Sequence, residues 1–557
     1  MKRASGLKIM LRLIKELQAL LPIMIVTIFL GVIGFLAAIL ISGFAIVALG
    51  ALLGEQTELS FMTAISIMGT LAILRGFFRY GEQLSGHYVA FKILMHLRDQ
   101  IFSKLRKLAP AKLETKAKGE LVALVTSDIE MLEVFYAHTI APIAIAIITS
   151  VCICFLLFQV HVVFAGLAGV FFLLIGVGLP LYASKSVGQA GMAYREAFNR
   201  GNTIILDSLY GLKEIIHFGQ QRKQTVQVAQ QSQELNRHLE ILKRDETTIA
   251  GLSDILISLA LISATLSGLV LYQAGTIQLT ALLFAVVVLA SAFGPVVALS
   301  RLANTLGHTF ACAQRLFQLL DEEPLVAENP GVDYVDDGDV ELKDVSFRYP
   351  GQKLTLQHIR ATLKRGTKIA IVGPSGSGKS TLFKLLLRYF DPQTGEIRIS
   401  DRPLTEMATQ SLRTLESAMS QETFLFNDTI RANIALGNPT ASLQEIQQAA
   451  KKAALHDWIT QLPAGYETKV GELGSLISSG ERQRLGLARI FLHDGVIFLL
   501  DEPTSNLDAL NEAEILQSLH EYAGKKTVIF SSHRQSTTAI ADTVYQIERG
   551  VMCEKKI

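Results

Sequence analysis

Residues 373–380 read Gly-Pro-Ser-Gly-Ser-Gly-Lys-Ser, the pattern G-x-x-x-x-G-K-[ST]. In such a loop the glycines let successive backbone N–H groups curl round phosphate oxygens, the lysine reaches the terminal phosphates and the last hydroxyl can ligate Mg²⁺. Here those residues are Lys379 and Ser380. The flanks agree: 369–372 (IAIV) read as a short buried strand, and 379–388 (KSTLFKLLLR) as a helix whose positive N-terminal end faces the phosphates. Gly373, Ser375, Gly376, Gly378, Lys379, Ser380 and Thr381 are therefore expected to hold a nucleoside triphosphate.

Further along, in order, come ISSGERQR (477–484) and VIFLLDEPTSNLD (496–508). The apolar run Ile497 to Leu500 reads as a buried strand that delivers Asp501 and Glu502 at its end. Asp501 would hold Mg²⁺ through water, and Glu502 would polarise the attacking water. An acidic pair can also merely cap a strand, but Pro503 and the SNLD loop follow in the order a hydrolase of this kind needs. After a second apolar strand (TVIF, 527–530), His533 is placed to contact the γ-phosphate.

This ordered set resembles the nucleotide-binding domain of ABC transporters across residues 340–550. The resemblance implies that Tyr349, in FRYP, stacks on adenine and that Gln421, in SQETFLF, senses Mg²⁺ and the membrane domain. It implies that Ser505 to Asp508 contact an opposite subunit and that Glu472, in TKVGELG, lies near coupling helices. Stacking also has a physical basis, since a flat purine gains from offset contact with a ring. The family's LSGGQ signature stands here as Ile477-Ser478-Ser479-Gly480-Glu481, with Ser479 in place of a glycine and Glu481 in place of a glutamine. In the family this signature serves the ATP held by the partner's phosphate loop, so the departure points to functional asymmetry and a non-identical partner. The chain also ends at Ile557, shortly after the last strand, without the further helix such domains often carry.

The chain as a whole is too apolar for a soluble protein of its length, and the N-terminal half accounts for it. Mean hydropathy is +0.36, and of 557 residues 50% are hydrophobic and 18% charged. About 20 apolar residues span a bilayer core. Windows of that kind lie at 21–50, 60–80, 136–158, 162–184, 249–273 and 278–300, the first fitting one long or tilted helix. The short loops 51–59, 159–161 and 274–277 contain no Lys or Arg, whereas 2–15, 92–118 and 185–244 are rich in both. The positive-inside rule places the basic segments, and with them the ATPase domain, in the cytoplasm. The net charge of +2 is then topological and says little about partners. Residues 2–20 read as an interfacial elbow helix, not a cleavable signal, because no small-residue cleavage site follows. Spans two and four run into long helical extensions, with candidate coupling segments near 110–121 and 206–218.

The expected architecture is an α-helical six-span membrane domain of type I exporter form (1–320), a linker (321–339, acidic with Pro324, Pro330 and Gly331) and an α/β P-loop domain with a helical subdomain (340–557). Such a chain is a half-transporter, so at least a dimer is implied. Four cysteines make no disulfide framework; Cys152 and Cys154 point to different faces of one helix, and Cys312 and Cys553 read as reduced.

The run LRGFFRYGEQLSGHYVAFKILMHLR (74–98) places Arg75, Arg79, Glu82, Gln83 and His87 at helical spacing on one face. A charge at the bilayer centre costs about 2.5–3.5 kcal/mol, so such a face turns to a cavity or a partner. An Arg79–Glu82 ion pair with Arg75 reaching the headgroups is the structural alternative. This segment and GELVALVTSDIEMLEVFYAHTIAP (119–142) resemble the CydC-type subunits of heterodimeric CydDC transporters, needed for cytochrome bd assembly. The resemblance implies a CydD-like partner and a link to haem or to thiols such as cysteine and glutathione. Imidazole is the commonest axial ligand of haem, and His87 is the matching residue; Gln83 replaces a family arginine, and His138 is a weaker candidate. Two other readings stay open: a generic lipid, peptide or drug exporter half, and an ATP-gated haem sensor or scaffold that moves no substrate.

Overall fold

The computed structural model of the chain describes residues 6–54, 59–114, 116, 118–326, 328, 331, 338–505, 507–522 and 526–555. Two compact units emerge, Met1–Arg106 with Lys116–Glu322, and Lys107–Thr115 with Glu323–Ile557. Positions 327, 329–330 and 332–337 of the acidic linker expected at 321–339 lie outside the described residues.

In the first unit, six helices among the described residues are long and apolar enough to cross a membrane: Gln18–Leu52, Phe61–Leu108, Gly119–Val160, Val162–Ala183, Gln221–Gln273 and Leu279–Leu299. With no water in a bilayer core, the helix is the form that satisfies its own backbone groups, and these runs supply the apolar side chains it needs. The second and fifth spans are 48 and 53 residues long, roughly 70–80 Å at about 1.5 Å per residue, far beyond the ~30 Å of hydrocarbon. The last helix continues to Asp321 with Pro295 inside it. The third and fourth spans carry π-helical turns at Leu124–Asp128, Tyr136–Ile140 and Leu174–Gly178.

Small residues let the spans approach closely. A Cβ on Gly43 would sit 2.7 Å from the Phe284 ring, and one on Gly268 2.9 Å from Leu282. Around them Ile39, Leu157, Phe164, Phe172, Ala264 and Val288 form the apolar core. Cys154 packs against it, Cys312 is buried, and among the described residues no disulfide joins any of the four cysteines. The amphipathic helix Gly6–Glu16 precedes the first span. Arg12 donates two hydrogen bonds to Asp321, at 2.6 and 2.7 Å, with its guanidinium 4.1 Å from the centre of the Phe317 ring. That bond holds the Asp321 carboxyl below the usual carboxylate range.

The second unit contains two sheets. Strands β1 (Val340–Phe347), β2 (Leu356–Leu363), β3 (Lys368–Val372), β4 (Thr394–Ile399), β5 (Arg402–Pro403), β6 (Glu416–Met419), β7 (Ile497–Asp501), β8 (Thr527–Ser531), β9 (Thr543–Glu548) and β10 (Val551–Lys555) follow in chain order. The antiparallel sheet runs β2-β1-β4-β5, and the six-stranded sheet β10-β9-β3-β8-β7-β6, parallel except for β10. A parallel central strand is buried on both faces and therefore reads as an unbroken apolar run, as β7 and β8 do. Register sets Ile371 of β3 and Asp501 of β7 on either side of Ser531 of β8. The carboxyl ends of these three strands thus open at one level, where ligands bind in open α/β sheets. A helical subdomain lies between β6 and β7, including Leu443–Lys452 and Ser479–His493.

Candidate functional site

The loop after β3 owes its course to glycines. Gly373 has φ +156°, and a Cβ there would lie 2.2 Å from the Ile547 carbonyl oxygen; Gly378 has φ +111° with no room beside Leu356. A side chain at either position meets backbone or core atoms, so the turn into the helix Lys379–Leu386 requires their absence. Lys379 is buried and folds back on the loop, donating to the Gly373 and Pro374 carbonyls at 2.9 and 3.2 Å. Burial lowers its pKa, against the opposing pull of Glu502 and Asp501. Ser377 Oγ is buried with no hydrogen-bond partner among the described residues.

Opposite the lysine, β7 and β8 deliver the acidic residues. Ser531 Oγ donates to Asp501 Oδ1 at 2.6 Å and accepts from the Glu502 backbone N–H at 2.9 Å. Glu502 adopts φ +52°, a left-handed conformation uncommon outside glycine and met at functional sites. Its two carboxylate oxygens are bracketed: Gln421 Nε2 donates to Oε2 at 3.2 Å, and His533 Nε2 lies 3.1 Å from Oε1. The same His533 nitrogen lies 3.2 Å from Lys379 Nζ. It can accept from the lysine or donate to the glutamate, one at a time. Lys379, Gln421, Asp501, Glu502 and His533, spread over more than 150 positions of chain, thus meet at one strand-end cluster.

The donors present fit a triphosphate and its metal. Lys379, a glycine-formed cradle and the buried Ser377 hydroxyl suit phosphate oxygens, and Ser380, Gln421 and Asp501 offer the oxygen ligands that Mg²⁺ takes. Bound there, Mg²⁺ would neutralise phosphate charge. Tyr349 packs edge-on against Phe347 and Phe390, with its hydroxyl 3.2 Å from Thr381 Oγ1.

The remaining expected residues fall elsewhere in the unit. Ser478 and Ser479 are exposed at the start of the helix Ser479–His493, which Ser478 caps by accepting from the Glu481 N–H. Glu481 leaves Oε2 buried with no hydrogen-bond partner among the described residues, with Arg484 3.9 Å from Oε1. Gly480 lies in the first turn of that helix. Asp508 accepts from the N–H and side chain of Asn511, so it caps the helix that follows it. Two residues escaped sequence reasoning. Gln483, buried on the signature helix, donates to the Glu502 carbonyl at 2.6 Å and to Ser505 Oγ at 3.3 Å, and Ser531 ties Asp501 to Glu502. A glutamine and a serine inside buried elements carry no pattern that would single them out.

In the membrane unit the polar residues of the second span lie along one broad side of the helix, and the Arg79–Glu82 ion pair expected as the structural alternative is formed. They cover roughly 140° of helix at about 100° per residue, and the two edges meet different surroundings. Glu82 is buried, turned toward the first span where Gly31 leaves room, and pairs with Arg79 at 2.5 Å. Arg75 and Gln83 are exposed. His87 instead faces the third span: its Nδ1 lies 3.6 Å from Glu133 Oε1, and its ring is 5.6 Å from that of His138, in the π-turn Tyr136–Ile140. Glu82→Ala is expected to cost about 1–2 kcal/mol, below the figure for a fully embedded charge because Arg79 is half exposed. Thermal unfolding in nanodiscs measures it, and Gln83→Ala, touching neither partner, should stay within about 0.5 kcal/mol of wild type.

Comparison with known proteins places both units. A family model described as ABC transporter matches residues 356–505, and one described as ABC transporter transmembrane region matches 20–296. A probable ABC transporter ATP-binding/permease protein of Haemophilus influenzae is 44% identical over 99% of this chain and 100% of its own length. An ATP-dependent lipid A-core flippase of Saccharophagus degradans is 32% identical, covering 90% of this chain and 84% of that protein. The glutathione/L-cysteine transport system protein CydC of Escherichia coli is also 32% identical, over 87% and 84%. The structure of a bacterial Atm1-family ABC exporter with ATP bound superposes with a TM-score of 0.82 at 26% identity, covering 97% of this chain and 95% of that one.

Proposed function

Because the chain belongs to the ABC transporter family, an ATPase-coupled exporter half with fused membrane and nucleotide-binding domains, we propose that it works as a CydC-like half of a heterodimer that exports thiols or haem. In this reading a CydD-like half completes the pair in a bacterial inner membrane, with the ATPase domains in the cytoplasm, and transport supports cytochrome bd assembly. The observation that carries it is the second span itself. Arg79-Tyr80-Gly81-Glu82-Gln83-Leu84-Ser85-Gly86-His87 stands where CydC-type subunits carry their polar run, and His87 lies beside Glu133. A carboxylate at Nδ1 leaves Nε2 as the nitrogen for a ligand, the usual arrangement of a metal-binding imidazole.

Each half would supply its phosphate loop and catalytic glutamate to one composite site and its signature to the other. Lys379 would leave its loop carbonyls for the terminal phosphates, Glu502 would take the proton of the attacking water, and His533 would pass from the glutamate to the γ-phosphate. ATP that binds the closed pair better than the open one shifts the membrane helices with it; hydrolysis resets them. Glu481 in the signature makes the partner's ATP site differ from this chain's own, which favours two non-identical halves.

A lipid exporter is the second reading, favoured by the flippase relative at the same identity and by the Arg79–Glu82 pair, which spends half of the polar face on packing. One assay separates the two. ATPase activity of the chain with its partner half in lipid nanodiscs is titrated with haem, reduced glutathione, cysteine and lipopolysaccharide. Saturable stimulation by haem or a thiol, with the haem response lost in His87→Ala, is expected. Stimulation by the lipid alone would replace the thiol and haem reading with lipid export.

A further inference from the structure

Lys107–Thr115, which joins the second and third spans in sequence, belongs to the compact unit of the ATPase domain. Ala111 is buried there in the apolar core that contains Phe347, Phe383 and Phe390, and Tyr349 packs against the same core. Three residues after Ala111, the Glu114 carboxylate accepts a hydrogen bond from Lys384 Nζ at 2.6 Å. Lys384 stands on the helix Lys379–Leu386, which begins at the phosphate loop, and its ammonium lies 5.9 Å from the centre of the Tyr349 ring.

These contacts restrict one another. A lysine has a flexible four-carbon stem and samples many rotamers; an ion pair selects among them. The rotamer selected here brings the ammonium within cation–π range of the tyrosine. Burial pulls the Lys384 pKa down, but the hydrogen bond to Glu114 and the interaction with Tyr349 together outweigh it, so the group stays charged. Tyr349 is then fixed by two phenylalanine edges, by Thr381 at its hydroxyl and by Lys384. Thr381 and Lys384 share the helix whose first residue is the phosphate lysine.

We propose that Glu114 is a positioning residue for nucleotide binding: by holding Lys384 at Tyr349 it sets the ring on which the purine stacks, making the loop between the second and third spans part of the base-recognition site. The inference rests on the reading of Tyr349 as the adenine platform. Triphosphate contacts lie at the other end of the same helix, so the loop acts on the base and not on the phosphates.

The test compares affinity for ATP with affinity for inorganic tripolyphosphate, which has no base, using the full-length chain with its partner half in nanodiscs. Glu114→Gln and Lys384→Met should each weaken ATP by about two- to fivefold, the worth of one cation–π contact. The double variant should weaken it no further, Lys384→Arg should retain wild-type affinity, and tripolyphosphate binding should be unchanged throughout. Equal weakening of both ligands by Glu114→Gln would overturn the proposal, since it would mean only a loosened loop. So would no change in ATP affinity while Tyr349→Ala loses the preference for ATP. If Tyr349→Ala leaves that preference intact, the platform reading itself fails, and the proposal with it.

Discussion

Glu502→Gln should lower ATP turnover at this chain's own catalytic half by about 10²–10⁴-fold, the usual worth of a general base, while ATP still binds. The expectation follows from how Glu502 is held. Its backbone is fixed in a left-handed conformation by Ser531 and Gln483, and its carboxylate lies between Gln421 and His533. Glutamine keeps the shape and loses the basic oxygen, so affinity and hydrolysis should separate. Single-turnover hydrolysis measured beside retention of labelled ATP checks it. Unchanged turnover would place the chemistry at the composite site built on the partner's glutamate.

Lys379→Met should act one step earlier, on binding. The ammonium is hydrogen-bonded to the loop carbonyls, and its loss removes a charge-assisted bond to phosphate of about 1.5–3 kcal/mol, roughly ten- to a hundredfold in ATP affinity. Its carbonyl contacts are ones a phosphate would replace, so the variant should keep its fold and thermal stability. A drop in turnover with ATP affinity intact would instead assign Lys379 to hydrolysis alone. The two variants therefore divide the cluster into a binding residue and a catalytic one.

Much of this was legible in the chain because the motifs are local. A strand of four or five apolar residues, a glycine loop and an acidic pair announce themselves over short windows, and six apolar runs of bilayer length announce the spans. The meeting of Gln421 with Glu502, or of His533 with Lys379, is set by the order of strands in the parallel sheet, which no single window contains. Gln483 and Ser531 were invisible for the same reason, as was Glu133 beside His87. The second span was legible only in part, for a different reason: its Arg79–Glu82 pair was among the readings, its surroundings were not. Helical spacing groups Arg75, Arg79, Glu82, Gln83 and His87 together, but Gly31 on the first span is what draws Glu82 inward and parts it from Gln83. A close approach between helices is a property of the pair, and a spacing read on one of them does not contain it.

What the chain carries across the membrane is tested most directly by transport itself. Inside-out vesicles holding the chain and its partner half, given ATP and labelled glutathione or cysteine, should accumulate the label, and vesicles carrying Glu502→Gln should not. Robust ATP hydrolysis without accumulation of either thiol or of haem, accompanied by movement of labelled lipid between leaflets, would contradict the proposed function and leave a lipid exporter in its place.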